Sequence, residues 1–130
     1  MKAITISIGR NIGEAPMTDA AWASFRANVR DILTGTLVEP FIGETLGVSK
    51  WEGVREECCT FVGSGEPRRR DVEEEIRHEV ALLAERFCQD AIFCAVAHLG
   101  DDDGLVEPPR DARTMARVSF LTTSRREVLS

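Results

Sequence analysis

Near the start of the chain Ile4, Ile6 and Ile8 alternate with Thr5, Ser7 and Gly9. That period of two predicts a strand with one buried face. Arg10–Pro16 is loop-like in composition. From Thr18 the period lengthens. Trp22, Phe25, Val29, Ile32 and Leu33 form one apolar stripe at helical spacing, with Thr18 as N-cap and Asp19 in the first turn. Gly35 is the expected C-terminal cap. Thr36–Ile42 is ambiguous, because Pro40 inside an apolar run argues against a central strand. Gly43–Gly65 then reads as two extended runs joined at Trp51-Glu52-Gly53, a hairpin between two helices. Thr45, Gly47, Ser49 and Trp51 share a face of its first arm, and Cys59 and Phe61 oppose Cys58, Thr60 and Val62 on its second. Gly63–Pro67 reads as a break.

The second helix is predicted to start at Asp71, which forms an acidic capping box with Glu74. Val72, Ile76, Val80, Leu83 and Phe87 make its apolar stripe, while Glu74, Glu75, His78, Glu85 and Gln89 fall on the solvated side. Ala91–His98 reads as a buried strand, Asp101–Gly104 as a turn, Pro108-Pro109 as an irregular excursion, and Met115–Thr123 as a last strand. The order predicts an α+β chain of one domain over residues 1–130. Its layout is a ferredoxin-like βαββαβ plan with an extra C-terminal strand, two helices covering one face of an antiparallel sheet. The other face would carry Cys58, Val62, Ala95 and Trp51, apolar enough to predict a homo-oligomer in which a second subunit covers it.

The net charge of −6 argues against general nucleic-acid binding. Charge is unevenly spread, however. Asp71–Asp90 is strongly acidic, whereas Gly104–Ser130 holds five arginines against three acids, which leaves room for a local anion site. Fourteen of the sixteen basic residues are arginine, whose planar fork suits carboxylates and phosphates; a GC-rich genome would give the same bias. Cys58, Cys59, Cys88 and Cys94 form no CxxC pair and read as reduced thiols, the last three at core positions. MKAITISIGRN has no long apolar run, so neither a signal peptide nor a membrane anchor is expected, and the predicted location is cytoplasmic.

ITISIGRNIG, a short loop, MTDAAWASF and a Trp-containing hairpin together resemble small bacterial and phage proteins of unknown function with ferredoxin-like folds. Gly9-Arg10 and Asp19-Ala20-Ala21-Trp22 carry the likeness in detail. The resemblance implies the fold and no characterised activity; for a phage-encoded chain the location would be the host cytoplasm. The compact, arginine-rich format is also similar to phage anti-defence proteins that sequester nucleotide signals, which implies a sponge-like role and transfers no site residues.

On these grounds the expected function is non-enzymatic binding of a small anionic ligand, a nucleotide above all. Arg10, Arg110, Arg113 and Arg117 would neutralise phosphates, Asn11 would hydrogen-bond a base or ribose, and Trp51 would stack. Gly63–Arg70, GSGEPRRR, is a further candidate anion loop, weighed against a plain turn followed by solvated arginines. Two alternatives stand beside this reading. One is a small enzyme using His98 and Glu57 as acid and base on the open sheet face. The other is an interaction module whose acidic second helix meets a basic partner. No catalytic residue, metal or cofactor is predicted by the leading reading.

Overall fold

A computed structural model describes residues 1–99 and, as a strand, residues 116–124. Strand β1 (Lys2–Gly9) leads into a small ribbon, β2 (Asn11–Ile12) with β3 (Ala15–Pro16), where a loop was expected. Helix α1 (Asp19–Thr36) is followed by β4 (Leu37–Trp51), β5 (Val54–Pro67), helix α2 (Val72–Arg86), β6 (Ala91–Leu99) and β7 (Ala116–Ser124). The main sheet has the order β4-β5-β1-β6-β7, and every neighbouring pair in it is antiparallel. Two helices on such a sheet make the chain α+β, as its periodicity indicates. No described helix is long and apolar enough to cross a membrane.

The core follows from the two periods. Ile4, Ile6 and Ile8 of central β1 are buried, together with Cys59 and Phe61 of β5 and Ile92, Cys94 and Val96 of β6. Trp22, Phe25, Val29 and Leu33 of α1 and Val72, Ile76, Val80 and Leu83 of α2 complete the same cluster, so both helices cover one sheet face. Phe87 stacks on Phe25 with centroids 4.5 Å apart and locks the two helices together. The hydroxyl of Thr18 accepts from Ala21 N at 3.2 Å, the expected N-cap. Asp71 is the N-cap of α2 but makes no side-chain capping bond, so the predicted capping box is not formed.

The glycines behave differently from their expected role as breaks. Gly35 lies inside α1, which runs on to Thr36 and passes directly into β4, with Leu37 N bonded to Leu33 O. The hydroxyl of buried Thr36 bonds Ile32 O at 2.7 Å, closing the last turn in place of a glycine cap. Gly63 and Gly65 are paired strand residues of β5. A Cβ at Gly63 would sit 3.1 and 3.2 Å from the Leu33 methyls, and one at Gly65 3.1 Å from Val38 O. These glycines exist to let α1 and the start of β4 approach the sheet. Pro40 is tolerated because β4 is an edge strand whose register shifts between Val38 and Phe41.

Two other expectations change. Gln89 lies beyond the helix end and is buried, its amide donating to Asn11 O and Phe87 O, where a solvated position was predicted. Cys88 is exposed at φ 55° just past α2, since the chain reverses there instead of continuing the apolar stripe. The other core thiols are inert. Burial pushes Cys59 up to about 11 and Cys94 up to about 12, so neither supplies a thiolate near neutral pH.

Glu44 ties β4 to α1. It accepts two bonds from Arg30, at 3.0 and 3.1 Å, and one from the Cys59 thiol at 3.5 Å. The hydrogen bond from Arg30 holds its carboxyl below the usual carboxylate range. A folded-state pKa below the unfolded one stabilises the fold above the unfolded value, and the contribution is lost as pH falls through the folded value. Glu44→Gln should therefore be less stable than the parent at pH 7, with the difference closing in acid; denaturation curves from pH 7 to 3 test this. Gly63→Val should lower stability by about 1–3 kcal/mol through overpacking against Leu33. A urea midpoint equal to the parent's would show that α1 does not need that close approach.

Candidate functional site

The tip of the β4–β5 hairpin is built on Glu52-Gly53, whose φ values of 49° and 81° are those of a two-residue type I′ turn. Trp51 pairs with Val54 and Ser49 with Glu56 just behind it. The exit of β1 is fastened alongside. Arg10 N donates to Glu57 O at 2.9 Å, Asn11 N to the Glu56 carboxylate at 2.8 Å, and the Asn11 side chain to Arg55 O at 3.1 Å. Glu56 reaches back this far because Gly9 has no side chain: a Cβ there would lie 2.4 Å from Glu56 Oε2.

Between the hairpin tip and the β2–β3 ribbon lies a cleft of about 330 Å³, lined by Asn11, Gly13, Glu14, Ser49, Trp51, Glu52, Val54 and Glu56. Three carboxylates line it and no lysine or arginine does. The Trp51 side chain is 76% exposed, an open aromatic face at its edge. Such a site repels anions and favours cations, which an aromatic face also attracts.

Of the six predicted ligand residues, Asn11 and Trp51 meet here. Arg10 is adjacent but engaged: Nε donates to Met17 O at 2.9 Å, Nη1 to Glu57 at 2.7 Å and Nη2 to Asp19 at 2.6 Å. Those carboxylates, Asp19 foremost, raise its pKa further, so it is a fixed counter-charge within the scaffold and has no fork left for a phosphate. Arg110 and Arg113 lie outside the described residues. Arg117 stands opposite His98 in the β6–β7 register, at the end of the sheet away from the cleft. Among the described residues, Arg117 therefore lies at the opposite end of the sheet from Asn11 and Trp51.

In Gly63–Arg70 two of the three arginines are likewise committed. Arg68 donates to Thr34 O and Leu37 O, and Arg69 to Gly35 O and Glu75. Together with Arg68 N on Thr36 O, they satisfy the final carbonyls of α1. A second depression of about 440 Å³ beside Arg69 is lined also by Asp71, Glu74, Glu75 and His78, more acid than base. His98 and Glu57 cannot act together on the open face. Both lie on the helix side, at opposite ends of β1, where His98 is paired with Lys2 and Gly9 with Cys58. Strand rise separates them by roughly 23 Å. His98 hydrogen-bonds Lys2 and Glu73, and Glu57 is held by Arg10.

No protein-family model and no curated protein matches the chain. Among solved structures it is similar to a phage SAM lyase in its apo state, with a TM-score of 0.50 at 15% identity over 92% of this chain and 88% of that one. A phage SAM lyase in complex with S-methyl-5'-thioadenosine gives a TM-score of 0.47 at the same identity and coverage. The fold is thus one that a phage enzyme also adopts. This overturns the expectation of a non-enzymatic sequestering protein, which rested on the fold and the arginines: the shared fold is an enzyme's, and the described arginines Arg10, Arg30, Arg68 and Arg69 are bonded within the scaffold.

Glu14 and Glu52 are cleft residues that sequence reasoning passed over. The legible signal was Glu52-Gly53, which fixes the end of the hairpin and so the neighbours of Trp51. Gly9→Ala should displace Glu56 and free the Asn11 amide. Losing a bond to a charged acceptor costs about 1.5–3 kcal/mol, so exchange of the Asn11 amide should accelerate by about tenfold or more. Unchanged exchange would show that Glu56 does not need the space above Gly9.

Proposed function

We propose that this chain is an enzyme acting on a small, positively charged nucleoside-type substrate held in the cleft at the hairpin tip. A sulfonium compound of the S-adenosylmethionine kind is the first candidate. The observation that carries the reading is the exposed face of Trp51 beside Glu14, Glu52 and Glu56 in a cleft without basic lining. The carboxylates would attract the sulfonium charge, Trp51 would cover the cation or stack on the base, and the free acceptor of Asn11 would orient the nucleoside. As an oxygen of the substrate's own carboxylate bonds to the carbon attached to sulfur, the carbon–sulfur bond breaks with its electron pair passing to sulfur, so the cation becomes a lactone and a neutral thioether. The cleft carboxylates then lose their hold on the thioether, which favours its release.

The likeness to a SAM lyase supports the enzymatic part as a fold-level analogy. The observed strand order supports reading the sheet as the ferredoxin-like plan with one added strand. Self-association also belongs to the proposal, supported by the edge of β4, which nothing among the described residues pairs with, and by exposed Phe41, Val62 and Phe93.

Incubation of the purified protein with S-adenosylmethionine, followed by mass spectrometry, tests the reading. Substrate should disappear with formation of a thioether nucleoside. Trp51→Ala should weaken binding about tenfold, from a cation–π contact worth about 1–2 kcal/mol, and Glu56→Gln should also weaken it. A protein that neither binds nor consumes the compound, or that binds ATP in preference, would overturn the proposal.

A further inference from the structure

Strand β4 lies at one side of the sheet, and among the described residues nothing pairs with its outer edge. An unpaired edge invites another strand. Protection by proline and bulge is confined to one end of it, between Val38 and Phe41, so Ile42–Trp51 is a regular edge. On it Leu46 is 63% exposed and Val48 55%.

The hairpin turn decides which backbone groups face outward. Trp51 and Val54 close a two-residue loop, so these two residues exchange main-chain hydrogen bonds across the hairpin. Along the regular stretch, odd-numbered residues therefore direct N–H and C=O toward β5. Glu44, Leu46, Val48 and Lys50 direct theirs away from the sheet.

We propose that a second copy of this chain pairs antiparallel along this edge, about a two-fold axis through Gly47. In that register the outward backbone groups of Glu44 meet those of Lys50 in the second copy, and those of Leu46 meet Val48. Leu46 and Val48 face each other on the helix side, apolar against apolar in both halves of the pair, while Glu44 keeps its bonds to Arg30. On the other side Thr45 meets Ser49, and Trp51 lies beside Gly43, which leaves room for the indole. Moving the axis one residue to Leu46 sets Glu44 against Val48, and moving it to Val48 sets Leu46 against Lys50. Only the axis at Gly47 gives both Leu46 and Val48 an apolar partner, and the pairing is self-complementary, as a two-fold contact must be. The two sheets become continuous, with the helices of both copies on the same side. The enzymatic reading is not needed for this inference.

Sedimentation equilibrium should give twice the 14.4 kDa chain mass. Val48→Pro removes one outward N–H and leaves the β4–β5 ladder intact, so it should halve the mass while preserving the circular dichroism spectrum. Cysteine at position 47 reports the axis directly. A Cβ there meets nothing within 4 Å, and residues opposite each other across such a pair have Cβ atoms about 4.5–5.5 Å apart. Cys58 faces Gly47 on β5 and would capture the new thiol, so Gly47→Cys is made together with Cys58→Ser. Mild oxidation should link two copies through position 47, as mapped by peptide mass spectrometry; if Val48→Pro fails to fold, this cross-link decides alone. A monomeric parent would overturn the proposal. So would an oligomer that survives Val48→Pro and leaves position 47 unlinked, which would put the contact on the open sheet face.

Discussion

The guanidinium of Arg10 is the joint on which the cleft end of the molecule depends. One side chain binds the carbonyl of Met17 before α1, Asp19 in the first turn of α1, and Glu57 on β5. It fixes where the first helix starts relative to the sheet and where the hairpin lies relative to the exit of β1. Its neighbours inherit that geometry. Gly9 leaves space for the Glu56 carboxylate, and Asn11 donates its amide to it. The cleft consists of what this joint brings together.

Several of the described arginines are turned inward. Arg30 grips Glu44 and lies over the Phe61 ring, holding the edge strand to α1. Arg68 and Arg69 satisfy the carbonyls at the end of the same helix. A planar fork with several donors suits such work as well as it suits a phosphate. An arginine cluster in a sequence therefore does not by itself distinguish a ligand site from a scaffold. Acidic side chains that remain, notably Glu14 and Glu52 around Trp51, set the sign of the cleft. The proposed ligand changes from an anion to a cation for that reason.

Glycine carries a similar lesson. Gly53 does what its place in a turn suggests, with a positive φ. Gly63 and Gly65 lie in the middle of a paired strand, where the missing side chain serves close packing. A glycine needed for its backbone freedom and one needed for its small size look alike in one dimension. The same holds for Pro40, whose position at a bulge on an edge strand is fixed by neighbours distant in sequence.

Strands, helices and the buried faces of both were legible in the sequence, because periods of two and 3.6 are local properties of the backbone. The Ile4–Ile6–Ile8 alternation, the stripe from Trp22 to Leu33 and the Thr18 cap all appear where that periodicity puts them. The α+β class follows from their order. Which charges survive as free chemistry was decided by tertiary structure alone. Arg10 and Glu57 are far apart in the chain, as are Asn11 and Glu56, and ion pairs of that kind carry no local signature. Their pairing commits Arg10 to the scaffold and leaves an acidic, aromatic cleft at the hairpin tip, a result that depends on which strand lies beside which.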